Sequence, residues 1–463
     1  MHHEVMREGR CCVGHAQRTG RSDQAPTHTV RYGVISPSER NGTGDGAPMK
    51  VAVTAEGTRG DIFPMLALAK RFEAAGHEVL ICAPPDFAEA TAERELAFHP
   101  VGRDIRECLT AEAASLHGGA LAMARAADQL LKENVGRQFA DLYAGARNCD
   151  GIVSAGTQIA ASSVAEALGV PHRFVAYDPT LLRSEMHPPV FFPHPNTPRW
   201  ANRLLWRMQS RLLQFSMGRT VNRARRSLGL APTRDLYRLM LGMRPLLATD
   251  DRLAGVPEDV EGVDCIGCLH PFNEGSLPEK LSAFLDSGPE PVYIGFGSMT
   301  DPDPKRSTAM LLDAIERAGV RAVISEGWAG LGGIALPSHV MVIGAVDHST
   351  LFQRVRAIVH HGGAGTTTMA ARAGRPQVIV PHVLDQFHWA ARVGRLGIGP
   401  PPLRRRHLSA QGLAYSLRSV CENEWLAESA SELGVLLRAD LLSRMDPIAA
   451  LTASMTAATT DAG

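Results

Sequence analysis

The segment AIVHHGGAGTTT, residues 357–368, decides the fold of this chain. Its first residues are apolar or small and are typical of a buried parallel strand. A glycine-rich turn follows, and the three threonines open a stretch, MAARAG, that is typical of a helix. These elements together form an anion site, because the first helical amides have no partner within the helix and glycine lets a ligand approach the backbone. The segment therefore predicts a phosphate or diphosphate site, with the imidazole of His361 beside it.

Length and composition favour a globular chain of two domains. At 463 residues the chain exceeds one ordinary core, and its 48 basic and 48 acidic residues cancel, which argues against nucleic acid as a partner. No apolar stretch reaches the length of about 18 residues that a membrane span needs. The N-terminus lacks the apolar region of a signal peptide, so the predicted compartment is the cytoplasm.

Apolar runs separated by helical stretches occur in two series. The first series contains predicted strands at 50–55, 77–84, 151–156 and 173–178, with a helix at 64–76 that has Pro64 in its first turn. The second series begins after about residue 245, and its predicted strands are 246–249, 292–298, 321–327, 341–346, 357–361 and 377–381. Each series predicts a doubly wound α/β domain with a parallel sheet. Ligands bind at the carboxyl ends of such strands, so a cleft is expected between the two domains.

The predicted organisation has five parts. Residues 1–48 are expected to be a disordered leader, which makes Met49 an alternative translation start. An N-terminal domain spans 49–240, a linker with the start of the second domain spans 241–290, a C-terminal domain spans 291–440, and a tail or helix spans 441–463.

Cysteine spacing does not predict a metal site. Cys265 and Cys268 form a CxxC pair close to His270, but no second pair lies at the spacing that zinc needs. We expect reduced thiols on a short strand and turn.

Three loops carry polar residues at predicted strand ends. Asp61 follows the first strand, where it is either a first-turn helix carboxylate or a general base at the cleft. Ser298 lies in the glycine turn GFGSMT at 295–300, which is either a phosphate loop or a simple tight turn. Asp385 and Gln386 follow the strand at 377–381, and an acid beside an amide suits recognition of several hydroxyls, with a loop cap as the alternative.

The stretch 199–226 predicts a basic amphipathic helix. Apolar residues recur at helical spacing, and eight arginines line the remaining positions. The apolar positions are Leu204, Leu205, Met208, Leu212 and Phe215. We expect the apolar face to pack on the N-terminal domain, and the alternative is a weak contact with a membrane surface.

Four stretches together resemble the family 1 glycosyltransferases, in particular the bacterial branch that glycosylates antibiotics and sterols. They are 55–87, 295–299, 325–331 and 346–399, and the similarity runs from Met49 to roughly residue 440. The combination of HHGGAGTT with the following DQ pair is highly specific. The resemblance implies the GT-B fold, two Rossmann-like domains around a cleft, and an inverting enzyme that uses a UDP- or dTDP-sugar without a metal or other cofactor.

The resemblance also implies roles for individual residues. Asp61 matches the acceptor-activating base, and Asp385 with Gln386 matches the pair that reads donor sugar hydroxyls. The diphosphate site corresponds to Ser298, His361, Gly363, Gly365 and Thr366. The nucleotide pocket corresponds to Trp328, Val346 and His348. Phe387–His388 departs from the Pro followed by Tyr or Phe of many relatives, and the 48-residue leader is not a family feature.

The predicted reaction moves a hexose to a hydroxyl of a hydrophobic small molecule such as a polyketide or sterol. Two alternatives are a UDP-sugar 2-epimerase of the same fold and a non-catalytic protein that binds nucleotide sugars. The GTRGD sequence at 57–61 favours transfer, and the intact set of Asp61, His361, Asp385 and Gln386 favours an enzyme. The predicted assembly is a monomer or weak dimer.

Overall fold

The structure is a computed structural model, and it describes residues 48–105, 107–108, 120–194, 196–269, 276–443 and 448. The predicted leader lies outside the described residues apart from Pro48, as do His270 and, apart from Ile448, the tail beyond residue 443. The predicted domain limits stay predictions.

The first part of the chain forms a parallel sheet of seven strands in the order β3-β2-β1-β4-β5-β6-β7. These strands are β1 (Lys50–Glu56), β2 (Glu78–Ala83), β3 (Ala97–Pro100), β4 (Gly151–Gly156), β5 (His172–Ala176), β6 (Leu246–Leu247) and β7 (Asp264–Cys265). In the central strand β1, Val51 and Val53 pack in one core cluster and Ala52 packs in another. Successive side chains of a strand point to opposite faces, so helices cover this sheet on both sides.

A second parallel sheet has five strands in the order β10-β9-β8-β11-β12. They are β8 (Val292–Gly295), β9 (Ala322–Ser325), β10 (Val340–Ile343), β11 (Ala357–His360) and β12 (Gln377–Ile379). Ile294 and Tyr293 belong to different core clusters, so this sheet is also buried on both faces. The prediction of two doubly wound domains is confirmed.

Helices connect most of the strands. They are α1 (Arg59–Ala74), α2 (Ala88–Ala92), α3 (Ala120–Ala146), α4 (Ala161–Leu168), α5 (Arg199–Ser227), α6 (Leu236–Leu241), α7 (Asp251–Ala254), α8 (Glu279–Asp286), α9 (Pro304–Ala318), α10 (His348–Phe352), α11 (Ala364–Arg372), α12 (Gln386–Arg395), α13 (Ala410–Glu422) and α14 (Glu424–Ser443).

Two local predictions were wrong. The strand predicted at 246–249 was assigned to the second series, but β6 pairs with β5 in the first sheet. A strand of two residues carries too little periodicity to identify its sheet. The first helix begins at Arg59, so Pro64 lies inside it. The capping box between Thr58 and Asp61 sets this start, and the proline does not.

The two halves meet through a buried ion pair and an apolar cluster. Arg372, at the end of α11, donates from Nε and Nη2 to both oxygens of Asp250, each at 2.7 Å, and both side chains are nearly inaccessible to solvent. Leu253 of α7 shares a core cluster with Trp389 of α12. Ile448, near the end of the chain, packs in the core of the first sheet. The sequence did not indicate these long-range contacts.

The prediction that the apolar face of the long helix α5 packs on the N-terminal domain was also wrong. The face expected to pack on the domain is largely exposed, with Phe215 84% and Leu212 67% accessible. The buried positions of α5 are instead Asn202, Trp206, Met217, Gly218, Val221 and Arg225. The first and last residues of this buried set, Asn202 and Arg225, are polar, so the sequence does not show that this face is buried. In the described part of the chain, no helix combines the length and apolarity that crossing a membrane requires.

Candidate active site

The glycine turn after β11 opens at the carboxyl end of the second sheet, as predicted. Gly362 has φ +89°, and a Cβ there would lie 2.7 Å from Ile379 Cγ2, so this position requires glycine. Gly363 is the N-cap of α11, and the first amides of that helix have no intrahelical partner. A Cβ at Gly363 would come within 2.5 Å of His361 Nε2, whereas one at Gly365 would meet no atom within 4 Å. The space above the helix N-terminus is therefore open to an anion.

The hydroxyls around this turn are not equivalent. Thr367 and Thr368 donate to carbonyls of their own helix, each at 2.9 Å. Thr366 makes no side-chain hydrogen bond to a described residue and is half-buried at the open end of α11. Ser298 is also half-buried, and the turn that holds it lies against His361, since a Cβ at Gly297 would lie 3.0 Å from the imidazole Cε1. The structure brings the turns after β8 and β11 together at one edge of the second sheet.

His361 is neutral in this environment. Burial lowers the pKa of its imidazole well below the usual range, and three neighbouring histidines, His360, His382 and His348, lower it further. Its Nδ1 is buried without a hydrogen-bond partner among the described residues. A neutral imidazole offers an anion one N–H donor and no fixed positive charge.

The three residues predicted for the nucleotide pocket lie near this turn but differ in their surroundings. The backbone N–H of Trp328 donates to the Gly297 carbonyl at 3.0 Å, which joins the turns after β8 and β9. Val346 is half-buried against the core of the second domain. His348 stacks on Phe352 with the ring centroids 4.7 Å apart, and burial lowers its pKa to about 4. Its ring therefore packs against the protein, and its backbone is the part best placed for a ligand.

The adjacent Asp385 and Gln386 are held differently. Asp385 Oδ2 accepts from the indole N–H of Trp389 at 3.1 Å, which leaves Oδ1 for another partner. Gln386 is buried, and its Oε1 accepts the backbone N–H groups of His382 and Val383 at 2.7 and 3.0 Å. The Gln386 carbonyl is thus occupied by its own loop, so this side chain can offer a ligand its N–H but not its oxygen.

Asp61 caps the start of α1 through one oxygen of its carboxylate. As the first-turn carboxylate of α1, its Oδ2 accepts the backbone N–H of Thr58 at 2.8 Å, and no described residue bonds to Oδ1. Burial raises the pKa of Asp61 to about 6. A Cβ at Gly57 would lie 2.2 Å from Oδ2, and one at Gly156 would lie 3.2 Å from Oδ1, so glycines enclose the carboxylate. One oxygen is fixed by the helix cap and the other remains available for a proton.

Sequence reasoning missed Glu56, the last residue of β1. The side chain is buried, and desolvation raises its pKa to about 8, with a smaller contribution from the carboxylate of Asp86. The Asn134 amide donates to Oε1, whereas Oε2 has no hydrogen-bond partner in the described part of the chain. Glu56 is therefore mostly protonated at neutral pH beside Asp61. The available signal was an acidic residue at the end of a strand whose other interior positions are mostly apolar.

Replacing Glu56 with glutamine is expected to change how stability depends on pH. The folded protein keeps Glu56 protonated between its usual pKa near 4.5 and about 8, while the unfolded chain has already lost that proton. Wild type therefore loses up to about 1.4 kcal/mol of unfolding free energy per pH unit in this interval, and the variant does not. Urea unfolding from pH 4 to 9 measures the difference, which should grow in favour of the variant up to about pH 8 and then level off. Parallel curves for the two proteins would contradict a raised pKa.

A second missed carboxyl, Asp178, lies in the first domain and faces the second. Burial raises the pKa of Asp178 to about 6. Burial also raises the pKa of Asp385 well above its usual range, and the negative charges of Asp178 and Asp61 raise it further. The carboxylates of Asp178 and Asp61 thus lie close enough to Asp385 to affect its pKa. This convergence could not be read from the sequence, because the three residues are widely separated along the chain.

A narrow pocket lies where the halves face each other. Its lining comprises Thr180, Pro188, Pro189, Val190 and Phe192 from the first half, and Leu384, Asp385, Phe387 and His388 from the second. The His388 ring lies 6.1 Å from that of His187, in edge-on contact across the cleft. The departure from the family pattern at Phe387–His388 therefore lies in the cleft itself.

Two family models match the chain. The model described as glycosyltransferase family 28 N-terminal domain matches residues 51–181, and the model described as erythromycin biosynthesis protein CIII-like, C-terminal domain, matches residues 310–453. The chain is 35% identical to glycosyltransferase GtfE of Amycolatopsis orientalis over 85% of its own length and 97% of the relative. This chain belongs to the GT-B glycosyltransferases of the antibiotic and sterol branch. It is a hexosyltransferase.

Other relatives of the glycosyltransferase belong to two groups of enzymes, which act on antibiotics and on sterols. It is 36% identical to the vancomycin aglycone glucosyltransferase of Amycolatopsis orientalis, with 76% of this chain and 85% of the relative covered. It is 32% identical to the sterol 3-beta-glucosyltransferase UGT80B1 of Arabidopsis thaliana, with 81% of this chain and 63% of the relative covered. The glycosyltransferase therefore acts in sugar transfer to natural products.

Solved structures confirm the GT-B fold of the glycosyltransferase. The spinosyn forosaminyltransferase SpnP superposes with a TM-score of 0.65 at 20% identity, covering 89% of this chain and 100% of that protein.

Among the described residues of the glycosyltransferase, no three His, Cys, Asp or Glu side chains are grouped to bind a metal ion. Cys265 and Cys268 form no disulfide, and the Cys265 thiol donates to the Thr249 carbonyl at 3.2 Å.

Proposed function

We propose that this glycosyltransferase transfers a hexose from a UDP- or dTDP-sugar to a hydroxyl of a lipophilic small molecule, with inversion at the anomeric carbon. The observation that carries the proposal is the position of Asp61, whose free Oδ1 lies on the first-domain side of the cleft that Asp385 faces from the second. An acceptor between these groups is within reach of a base and a donor sugar together. An epimerase needs no second substrate there.

The acceptor hydroxyl is a weak nucleophile, so the transfer requires a base. Asp61 Oδ1 takes the hydroxyl proton as the acceptor oxygen bonds to the anomeric carbon. The bond from that carbon to the diphosphate oxygen breaks, and the bonding electrons remain on the diphosphate. Attack and departure occur on opposite sides of the carbon, which gives inversion.

The leaving diphosphate is stabilised by donors without a metal. The first amides of α11, the hydroxyls of Thr366 and Ser298, and the N–H of His361 surround the open turn, where Gly363 and Gly365 permit close approach. The nucleotide lies along Trp328, Val346 and the backbone at His348. Activity is expected to survive EDTA, and strict dependence on added Mg²⁺ would require a different phosphate chemistry.

The sugar is read chiefly by Asp385. Burial raises the pKa of Asp385 and so favours the protonated carboxyl, which can donate as well as accept hydrogen bonds with sugar hydroxyls. Gln386 adds its N–H, because its oxygen is held by the loop.

Replacing Asp385 with alanine is expected to impair use of the sugar nucleotide more than binding of the free nucleotide. Each lost hydrogen bond leaves a buried sugar hydroxyl unpaired and costs about 1–3 kcal/mol, or about 5- to 150-fold in kcat/KM. Calorimetry with UDP and with UDP-glucose separates the two effects. Asp385→Asn is the matched control for the Trp389 hydrogen bond, since the amide oxygen can still accept it. Equal losses for both ligands would make Asp385 a structural residue.

The nucleotide and acceptor are tested by a substrate panel. One relative is named dTDP-epi-vancosaminyltransferase, and one solved neighbour, VinC, is described in complex with DTDP, so dTDP-glucose is assayed beside UDP-glucose. Each donor is incubated with lipophilic polyketide and sterol alcohols, and released nucleotide is quantified. Release that depends on the alcohol supports transfer, and release at the same rate without any alcohol contradicts it.

A further inference from the structure

An exposed apolar stripe runs along one side of α5. Its members lie three or four residues apart, which places them on one face of the helix. They are Trp200, Leu204, Met208, Leu212 and Phe215, with exposed fractions of 69%, 50%, 57%, 67% and 84%. Contiguous apolar exposure of this kind is costly in water and marks an interaction surface.

The opposite face of the same helix already packs on the protein. Trp206 is buried in a cluster with Tyr237, and Met217 and Val221 are buried against the core of the first domain. The α5 helix thus has its intramolecular contacts on one side only. The apolar side chains of the stripe therefore stay exposed to solvent in the folded protein.

The charge of α5 is entirely positive. Its 29 residues include eight arginines and no aspartate or glutamate. Arg203 pairs with Glu185, and Arg225 pairs with Glu166. The other six are exposed and make no ion pair with any residue that the structure describes; they are Arg199, Arg207, Arg211, Arg219, Arg223 and Arg226.

Four of the six unpaired arginines share a face with the stripe. Arg211 lies three and four residues from Met208 and Phe215, and Arg219, Arg223 and Arg226 continue the spacing of the stripe toward the helix C-terminus. A helix with large apolar residues flanked by unpaired arginines matches the composition of helices that lie in the interface of an anionic bilayer. We propose that this face, Trp200 to Arg226, docks the protein on the surface of an anionic lipid membrane.

Electrostatics favours lipid over a second copy of the chain. A twofold dimer through this face would bring the same arginines against each other, with no acidic residue of α5 to compensate. Anionic headgroups supply the missing negative charge, and the acyl region accepts the apolar side chains.

The docking face starts beside the cleft. Asn202 and Trp206 donate to the carbonyls of Glu185 and His187 at 2.8 and 3.2 Å, which fixes α5 to the segment that lines the interdomain pocket. Phe191, in that segment, is 67% exposed. If the proposed function holds, a lipophilic acceptor would pass from the lipid to the cleft over a short distance.

Vesicle flotation with the full chain tests the proposal. Wild type is expected to float with vesicles of phosphatidylglycerol and phosphatidylcholine, to bind vesicles of phosphatidylcholine alone much less, and to dissociate as salt increases. The double variant L212E/F215E should lose at least about tenfold in binding. In R219Q/R223Q, each lost charge should weaken binding to anionic vesicles about fivefold.

Matched measurements separate docking from folding and catalysis. Tyr415→Glu, at a position on α13 that is 70% exposed, should float like wild type. The affinity of each variant for UDP and its thermal unfolding should be unchanged, so loss of flotation does not depend on the catalytic proposal. Equal binding to neutral and anionic vesicles, or flotation of L212E/F215E at the wild-type level, would overturn the proposal. It would also be overturned if wild type ignored vesicles and formed a dimer that L212E/F215E dissociates.

Discussion

Asp61→Asn is expected to lower kcat by about 10²–10⁴-fold, the usual contribution of a positioned general base. Asparagine keeps an oxygen for the Thr58 amide that now bonds to Asp61 Oδ2, so the start of α1 should remain intact. Binding of the sugar nucleotide, measured by calorimetry, should be unchanged, because the base contacts the acceptor and not the donor. The loss should therefore appear in kcat alone.

A matched control is available in the same domain. Asp150 is an exposed carboxylate that also accepts a backbone N–H, from Lys50 at 2.8 Å. Asp150→Asn should retain kcat, which shows that removing a backbone-capping carboxylate is not enough to stop the reaction. A folded Asp61→Asn variant with near-normal kcat would exclude Asp61 as the base.

The pH profile of the wild type follows from the same residue. Asp61 must be ionised to accept a proton, and its pKa is raised to about 6, so kcat/KM should fall as pH drops through about 6. The residual activity of Asp61→Asn should lack this acidic limb. An identical limb in the variant would assign the titration to another group.

His361→Ala is expected to lower kcat/KM by about 10²–10³-fold, as when one preorganised donor is removed from a developing charge. Binding of UDP should weaken as well, since the imidazole stands beside the diphosphate turn in the ground state. His407→Ala, an exposed histidine in the same domain, should leave both quantities unchanged. Unaltered UDP affinity in His361→Ala would remove the imidazole from the diphosphate site.

Adding a side chain at either glycine probes the same turn while His361 itself is retained. A side chain at Gly363 would lie 2.5 Å from His361 Nε2, and one at Gly365 would enter the open space above the amides. Valine at either position should therefore also weaken UDP binding.

The strand β11, and the glycine turn and helix start after it, could be predicted in detail because their signals are local. The strand, the glycines and the helix start all lie within residues 357–368, so sequence spacing determined their geometry. The position of Asp61 at the start of α1 could be predicted for a similar reason, since the turn that leads into this helix follows the first strand directly.

Features that depend on distant parts of the chain could not be predicted. Asp178 faces Asp385 only after the two domains meet, and nothing in either local sequence indicates this. The raised pKa of Glu56 depends on burial by several elements and on the charge of Asp86. The exposed face of α5 was misassigned, because helical periodicity reveals that apolar residues share a face but not what covers it.

The central claim is that this glycosyltransferase joins a hexose to an acceptor hydroxyl with Asp61 as the base. Mass spectrometry and anomeric NMR of reactions containing the sugar nucleotide and a lipophilic alcohol test it most directly. We predict a conjugate of alcohol and hexose with inverted anomeric configuration, formed in equal amount to the released nucleoside diphosphate and nearly absent with Asp61→Asn. Consumption of the donor to an epimerised sugar or free hexose, with no conjugate at any alcohol, would contradict it.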